Sequence, residues 1–243
     1  MHMLSMPRML SSLSRKMVLG LLTTLALLVL PTAATPAGKI VIYGASSGAT
    51  LTLSTKGSKI VVEGNMARQR QPGCRFVRGH RVAVCSARDA SSIEIQMGPS
   101  GDFVRVAERL PLPLTVYLGA GSDKFIGNGE RDTCYPGGAR RNRCVGGAND
   151  DVCITGPRNS DCVGGPGDDY CRHGGGSDGC WGGPGDDICI MGPGQDGCHG
   201  EGGNDRLYGG AQPDQLYGGP GHDYCNGGPG WGKSHTCDAG PRR

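Results

Sequence analysis

Aromatic side chains are scarce in this chain: 5% of its 243 residues, with only two tryptophans and three phenylalanines. So few large rings leave no conventional thick core for its glycine-rich half. C-x-x-C does not occur, which removes support for a zinc ribbon or a thioredoxin-like redox site. H-E-x-x-H, G-x-S-x-G and the P-loop are also missing. His80, His173, His199, His222 and His235 are scattered, with no pair at i, i+4. Without a recognisable catalytic constellation, the chain reads as a non-enzyme. No helical 3.6-residue period follows residue 37, and no later apolar run is long enough to span a bilayer.

Glycine, by contrast, is abundant, at 45 residues. At the N-terminus, Arg8, Arg15 and Lys16 precede an apolar stretch, Met17 to Leu30, and then small residues around Thr32-Ala33-Ala34 and Thr35-Pro36-Ala37. This is the pattern of a cleaved secretory leader over residues 1–37. The remaining charge is unevenly spread. Residues 38–117 carry 11 basic and 5 acidic groups, whereas 118–226 carry 8 basic and 16 acidic. An acidic glycine-rich half suits a divalent cation and argues against nucleic acid, which needs clustered positive charge.

The glycine-rich half counts in nines. Gly164–Arg172 (GGPGDDYCR), Gly182–Ile190 (GGPGDDICI) and Gly218–Asn226 (GGPGHDYCN) are near copies. The register runs without a gap from Gly137 to Asn226, and Leu118–Ile126 and Gly127–Tyr135 precede it, with Pro136 inserted. Such a period signals a solenoid rather than a low-complexity coil. Glycine at positions 1, 2 and 4 and proline at 3 make a turn. Positions 7 to 9 suffice for a very short strand, in which residue 8 points opposite to 7 and 9. Position 8 is always apolar, from Phe125 through the cysteines to Leu207, Leu216 and Cys225, so it faces inward.

These residues resemble the RTX, or hemolysin-type, calcium-binding repeat, G-G-x-G-x-D-x-U-x with U large and apolar, itself a known signature of calcium-binding solenoids. The resemblance implies an all-β fold: a parallel β-roll with two nonapeptides per turn, some 30 Å long for six turns at ~4.8 Å each. It implies calcium between stacked turns, held by glycine-turn carbonyls and the position-6 aspartates. Those fall in two columns. One is Asp132, Asp151, Asp169, Asp187, Asp205 and Asp223; the other is Asp123, Asn142, Ser160, Asp178, Asp196 and Asp214. The second is broken beside Arg140, Arg141 and Arg158, whose charges oppose a cation. Five ions are expected along the complete column and at most two around Asp178–Asp196–Asp214.

Twelve cysteines in an exported chain point to disulfides. Cys74 and Cys85 flank a basic loop (Arg75, Arg78, His80, Arg81) and are expected to pair. Cys237 is placed to staple Cys225. Within the repeats the facing pairs Cys134–Cys144, Cys153–Cys162, Cys171–Cys180 and Cys189–Cys198 are favoured over same-sheet neighbours, whose Cβ bonds run parallel.

Four segments follow: a leader (1–37), a β-rich N-terminal cap (38–117), the calcium-binding roll (118–226) and a C-terminal cap and tail (227–243). The cap alternates with period two in Lys39–Tyr43, Thr50–Ser54, Lys59–Glu63, Arg81–Cys85, Ser92–Met97, Phe103–Val106 and Leu114–Leu118, as solenoid continuation or small sandwich. Leu110-Pro111-Leu112-Pro113 marks a stiff boundary. After Gly230 the motif leaves register, with Trp231 expected to cover the last layer. The function expected is a secreted, extracellular calcium-binding protein with a structural or surface-interaction role. The alternative is a ligand-binding solenoid, an adhesin or cell-wall glycan binder. Outward Val152, Ile154, Tyr170, Arg172, Trp181, Ile188, Ile190, Tyr208, Tyr217 and Tyr224 are too varied for ice binding but suit glycan stacking.

Overall fold

The computed structural model describes residues 38–68, 73–138, 141–230, 233–235 and 237–238. The expected leader, Arg140 and Trp231 lie outside them. Among the described residues there is no α-helix, and no helix is long and apolar enough to cross a membrane.

The first strands are β1 (Lys39–Tyr43), β2 (Thr50–Lys56), β3 (Lys59–Gly64), β4 (Cys74–Arg78), β5 (Val82–Ser86), β6 (Ser92–Gln96), β7 (Phe103–Val106) and β8 (Leu114–Tyr117). The repeats supply β9 (Lys124–Ile126), β10 (Thr133–Tyr135), β11 (Asn142–Val145), β12 (Val152–Ile154), β13 (Ser160–Val163) and β14 (Tyr170–Arg172). They continue with β15 (Gly179–Pro184), β16 (Ile188–Pro193), β17 (Gly197–Gly202), β18 (Arg206–Ala211), β19 (Gln215–Tyr217), β20 (Tyr224–Asn226) and β21 (Lys233–His235).

Successive repeats alternate between two parallel sheets, so the chain is a parallel β-solenoid. One sheet has nine strands in the order β1-β6-β8-β10-β12-β14-β16-β18-β20; the other runs β21-β19-β17-β15-β13-β11-β9-β7-β2-β3-β5-β4. Partners lie one full turn apart, as in Cys153↔Cys171↔Cys189 and Cys144↔Cys162↔Cys180. Across the inserted Pro136 the register still holds, with Cys134 opposite Cys153, because the extra residue is absorbed in a turn. Each three-residue strand from β9 to β20 buries only its middle side chain, as the period-two pleat requires.

Both sheets run unbroken across the 117/118 junction. β6 and β1 extend the first sheet, and β7 and β2 the second, all in parallel register. Solenoid continuation is therefore the arrangement of these strands. β3, β5 and β4 then add antiparallel to the end of the second sheet. Arg75 and Arg78, expected in a loop, sit on β4, which pairs with β5 through Cys74↔Cys85. This end carries the thick aliphatic core: Ile40, Ile42, Leu51, Leu53, Ile60, Ile93 and Ile95 are fully buried and merge with Phe125 and the cysteine column in one cluster.

At the other end the expected loss of register does not occur. β21 pairs with β19 through Gln215↔Lys233, Leu216↔Ser234 and Tyr217↔His235, one more step of 18 residues. The motif fades, but the parallel ladder continues because it needs backbone groups and not the consensus side chains.

Candidate metal centre

Every position-6 residue sits where a glycine turn enters a strand, and every one is buried, at 0–5% exposure. Its role there is to extend the backbone ladder by one rung. The Asp169 N–H donates to Oδ1 of Asp187 at 2.7 Å, while the Asp169 carbonyl accepts the N–H of Ile188 at 2.9 Å. The same step joins Asp132 to Asp151, Asp151 to Asp169, Asp187 to Asp205 and Asp205 to Asp223, at 2.7–3.0 Å. In the second column it joins Ser160 to Asp178, Asp178 to Asp196 and Asp196 to Asp214. One carboxylate oxygen thus replaces a missing strand carbonyl.

The other oxygen has no such use. Oδ2 of Asp123, Asp151, Asp169, Asp178, Asp187, Asp196, Asp205, Asp214 and Asp223 is buried without a hydrogen-bond partner. A buried acceptor left unpaired costs about 1–3 kcal/mol, and more when charged. Burial pushes the carboxyls of nine column residues, Asp123, Asp132, Asp151, Asp169, Asp178, Asp187, Asp196, Asp205 and Asp214, up against the relief of their backbone hydrogen bonds. Asp132, Asp151, Asp169 and Asp178 rise to about 7, Asp187 to about 8, and Asp123, Asp205 and Asp214 to about 6. Asp196 is raised too. Rows of unpartnered carboxylate oxygens, lined by turn carbonyls, form an all-oxygen donor set that fits a hard divalent cation such as calcium.

Position 1 completes the arrangement. A Cβ on Gly182 would fall on Oδ2 of Asp187, and Gly164 and Gly200 stand in the same relation to Asp169 and Asp205. At position 4 Gly185 is needed for another reason: it has φ +148, and a Cβ there would strike the Gly167 carbonyl oxygen.

The broken column is repaired internally. Asn142 keeps the rung, accepting the Asp123 N–H through Oδ1 at 2.8 Å, and its Nδ2 donates to the Pro136 carbonyl at 2.8 Å. A donor on the side chain thus serves where an aspartate leaves an acceptor unpaired. Ser160 likewise turns its hydroxyl to the Arg158 carbonyl at 2.9 Å.

Asp102 belongs to this second column, although the repeat pattern begins only at Leu118. Its Oδ1 accepts the Ala49 N–H, its own N–H donates to Asp123 at 2.8 Å, its Oδ2 is unpartnered, and burial raises its pKa. The signal available was Gly98-Pro99-Ser100-Gly101-Asp102 before β7, a single degenerate turn. The exposed position-5 residues form a separate ladder running the other way, Asp168 N–H to Asp150, Asp186 N–H to Asp168 and Asn204 N–H to Asp186. Doubled acids such as Asp168-Asp169 therefore stitch two rails of one edge.

Four disulfides are present: Cys74–Cys85, Cys134–Cys144, Cys162–Cys171 and Cys225–Cys237. The expected partners Cys153–Cys162, Cys171–Cys180 and Cys189–Cys198 are not joined. Cys162 faces Cys153 and Cys171 at equal sequence distance, and pairing with Cys171 leaves Cys153, Cys180, Cys189 and Cys198 as buried thiols. On the outer face Trp181, His199 and Tyr217 stack with interplanar angles of 2° and 11°. Their faces are turned to one another, which leaves less ring face for a sugar.

Fold and site together define a parallel β-solenoid with acidic glycine turns stacked into two buried carboxylate columns. The family to which this architecture points is the RTX calcium-binding nonapeptide repeat, which matches the chain in four copies over residues 115–140 and 199–230. The chain carries this repeat, and its resemblance to the RTX family rests on those copies and on the solenoid. No curated protein matches the chain.

Proposed function

We propose that this chain is a secreted calcium-binding β-roll whose ions lie between stacked turns and hold the solenoid rigid, in a structural or surface-interaction role without catalysis. The observation that carries this is the row of buried carboxylate oxygens with no protein partner. Bound calcium supplies positive charge and oxygen coordination at those carboxylates. The chain's own part is to pre-align them: the Oδ1-to-amide rungs set the spacing, and the position-1 glycines keep space beside Oδ2. The leader pattern and the disulfides support secretion into an oxidising compartment.

Occupancy follows the columns. The complete column, Asp132 to Asp223, offers five gaps between successive acids. The other offers two around Asp178–Asp196–Asp214 and one at Asp102–Asp123, separated by the self-satisfied Asn142 and Ser160. Equilibrium dialysis against calcium counts the ions. Alanine at both Asp169 and Asp187 should remove more calcium than alanine at both Asp178 and Asp196. Equal losses would refute the asymmetry, and no bound calcium in the wild type would refute the proposal itself.

A further inference from the structure

The thiols left unbridged are not scattered. Cys180 on β15 and Cys198 on β17 are register neighbours in one sheet, and Cys189 on β16 reaches between them from the other. Their sulfurs all lie within 4.8 Å of one another, and the three residues are 0–1% exposed. Met191, two residues beyond Cys189 and so on the same inward face, brings its Sδ to 3.1 Å from the Cys189 Sγ. On the other side His173 packs beside Cys180. Its Nδ1 lies 3.3 Å from the Thr155 hydroxyl and 3.9 Å from Oδ2 of Asp178 in the second carboxylate column, and its buried Nε2 has no partner.

Packing alone does not call for this chemistry. At the same inward position the neighbouring turns use Leu207 and Leu216, which pair in register with Cys189 and Cys198. His173 and Met191 also occupy position 1, where most turns have glycine, in the stretch where position 8 is an unbridged cysteine. Sulfur and imidazole therefore converge where Leu and Gly would have served. A disulfide cannot use three sulfurs, and Cys180 and Cys198 project in parallel from one sheet, which is poor bridging geometry. Three thiolates around a metal at ~2.3 Å stand ~3.8 Å apart in a tetrahedral site, a small rotamer adjustment from the observed spacing.

We propose that Cys180, Cys189 and Cys198 form a buried trithiolate site for a thiophilic d10 cation, Cu(I) or Zn(II), distinct from the calcium columns. Each thiol releases its proton to solvent as the ion is bound. Met191 offers the thioether that favours Cu(I); His173, beside Cys180 but not among the ligand atoms that lie within 4.8 Å of one another, would have to turn inward to serve as the fourth ligand of a Cys3His zinc site. The hard, oxygen-lined edges and the soft, sulfur-lined core sort the two kinds of ion by donor type. The site does not depend on calcium binding, so either reading can fail alone.

The test uses the full chain with its four disulfides formed, loaded with zinc or with Cu(I) in the absence of oxygen and of added thiol, and purified in excess calcium without chelator. Elemental analysis should find about one thiophilic ion per chain, and cobalt loaded in its place should show a thiolate-to-metal charge-transfer band. Cys189→Leu, which places at this position the residue of the next turn in register, should abolish both while circular dichroism stays that of the wild type. Cys153→Leu should leave both unchanged. Met191→Leu should weaken Cu(I) about tenfold or more and spare zinc, whereas His173→Gln should do the reverse if zinc is the native ion. The proposal is overturned if the wild type holds neither ion and gives no cobalt band. It is equally overturned if Cys153→Leu loses as much metal as Cys189→Leu, or if peptide mapping of the unreduced protein finds two of the three cysteines joined.

Discussion

Replacing Asp187 by asparagine should stabilise the calcium-free protein and destabilise the calcium-loaded one. The wild-type Oδ2 is buried without a partner, and burial raises the carboxyl from 3.8 to about 8. A folded value above the unfolded one means that the neutral acid contributes stability below about 4. That contribution is lost as pH rises through about 8. The substituted amide does not titrate, so the gain from the substitution in chelator should grow between pH 7 and pH 9. Asn142 shows where such an amide finds an acceptor: the carbonyl six residues earlier, Pro136. The equivalent carbonyl for residue 187 is Trp181, whose oxygen already accepts the Gly164 N–H and has a second lone pair free. One such hydrogen bond is worth about 0.5–1.5 kcal/mol, and each kcal/mol moves the melting temperature of a chain this size by about 2–4 °C. In calcium the sign reverses. A site with a dissociation constant of about 10⁻⁴–10⁻³ M contributes about 1.4–2.7 kcal/mol at about 10 mM calcium. Asp187 borders two gaps of its column, so both are weakened. Thermal melts of the two proteins, with chelator and with calcium, should therefore cross. A variant that melts below the wild type by the same amount in both conditions would refute this reasoning.

The converse change, Asn142→Asp, removes the amide donor to Pro136 and sets a buried oxygen against that carbonyl. It should cost about 1–3 kcal/mol in chelator, read by urea denaturation at pH 8. Gly182→Ala would drive a Cβ into the Asp187 carboxylate and should lower stability by roughly 2 kcal/mol or more, the cost of overpacking a tight site. Glu201 holds φ 80 at position 2, where most other turns have glycine, so Glu201→Gly should stabilise by about 1 kcal/mol in the same assay.

The period, the inward position and the two alternating sheets were legible because each repeats a local rule: glycine turns, a two-residue pleat and an apolar residue every ninth position. Disulfide partners were legible for Cys74–Cys85, Cys134–Cys144 and Cys225–Cys237, but not in the middle of the ladder. Cys162 lies nine residues from both Cys153 and Cys171, so the period offers two equivalent frames, and only the packed core selects one. The continuation of both sheets through β1, β2, β6, β7 and β8 was hidden because the antiparallel insert β3 to β5 interrupts the 18-residue step. Asp102 was missed because it stands 21 and not 18 residues before Asp123, in a single degenerate turn. The aspartate positions were visible as a column, but their rung to the amide one turn away is a contact between turns. Whether Oδ2 then finds a partner depends on burial, which residue spacing does not encode. At the C-terminus the fading motif suggested a loss of register that the backbone ladder does not show.

The most direct test of the calcium reading is the melting temperature of the full wild-type chain at pH 7.5 in millimolar calcium, in magnesium and in chelator. Calcium should raise it by about 3–6 °C for each site filled tenfold beyond its dissociation constant. Magnesium, which gives up its water reluctantly and demands octahedral geometry, should do little. Identical melts in all three solutions would mean that the buried carboxylate columns are held without an ion, and that this solenoid is not a calcium-binding one.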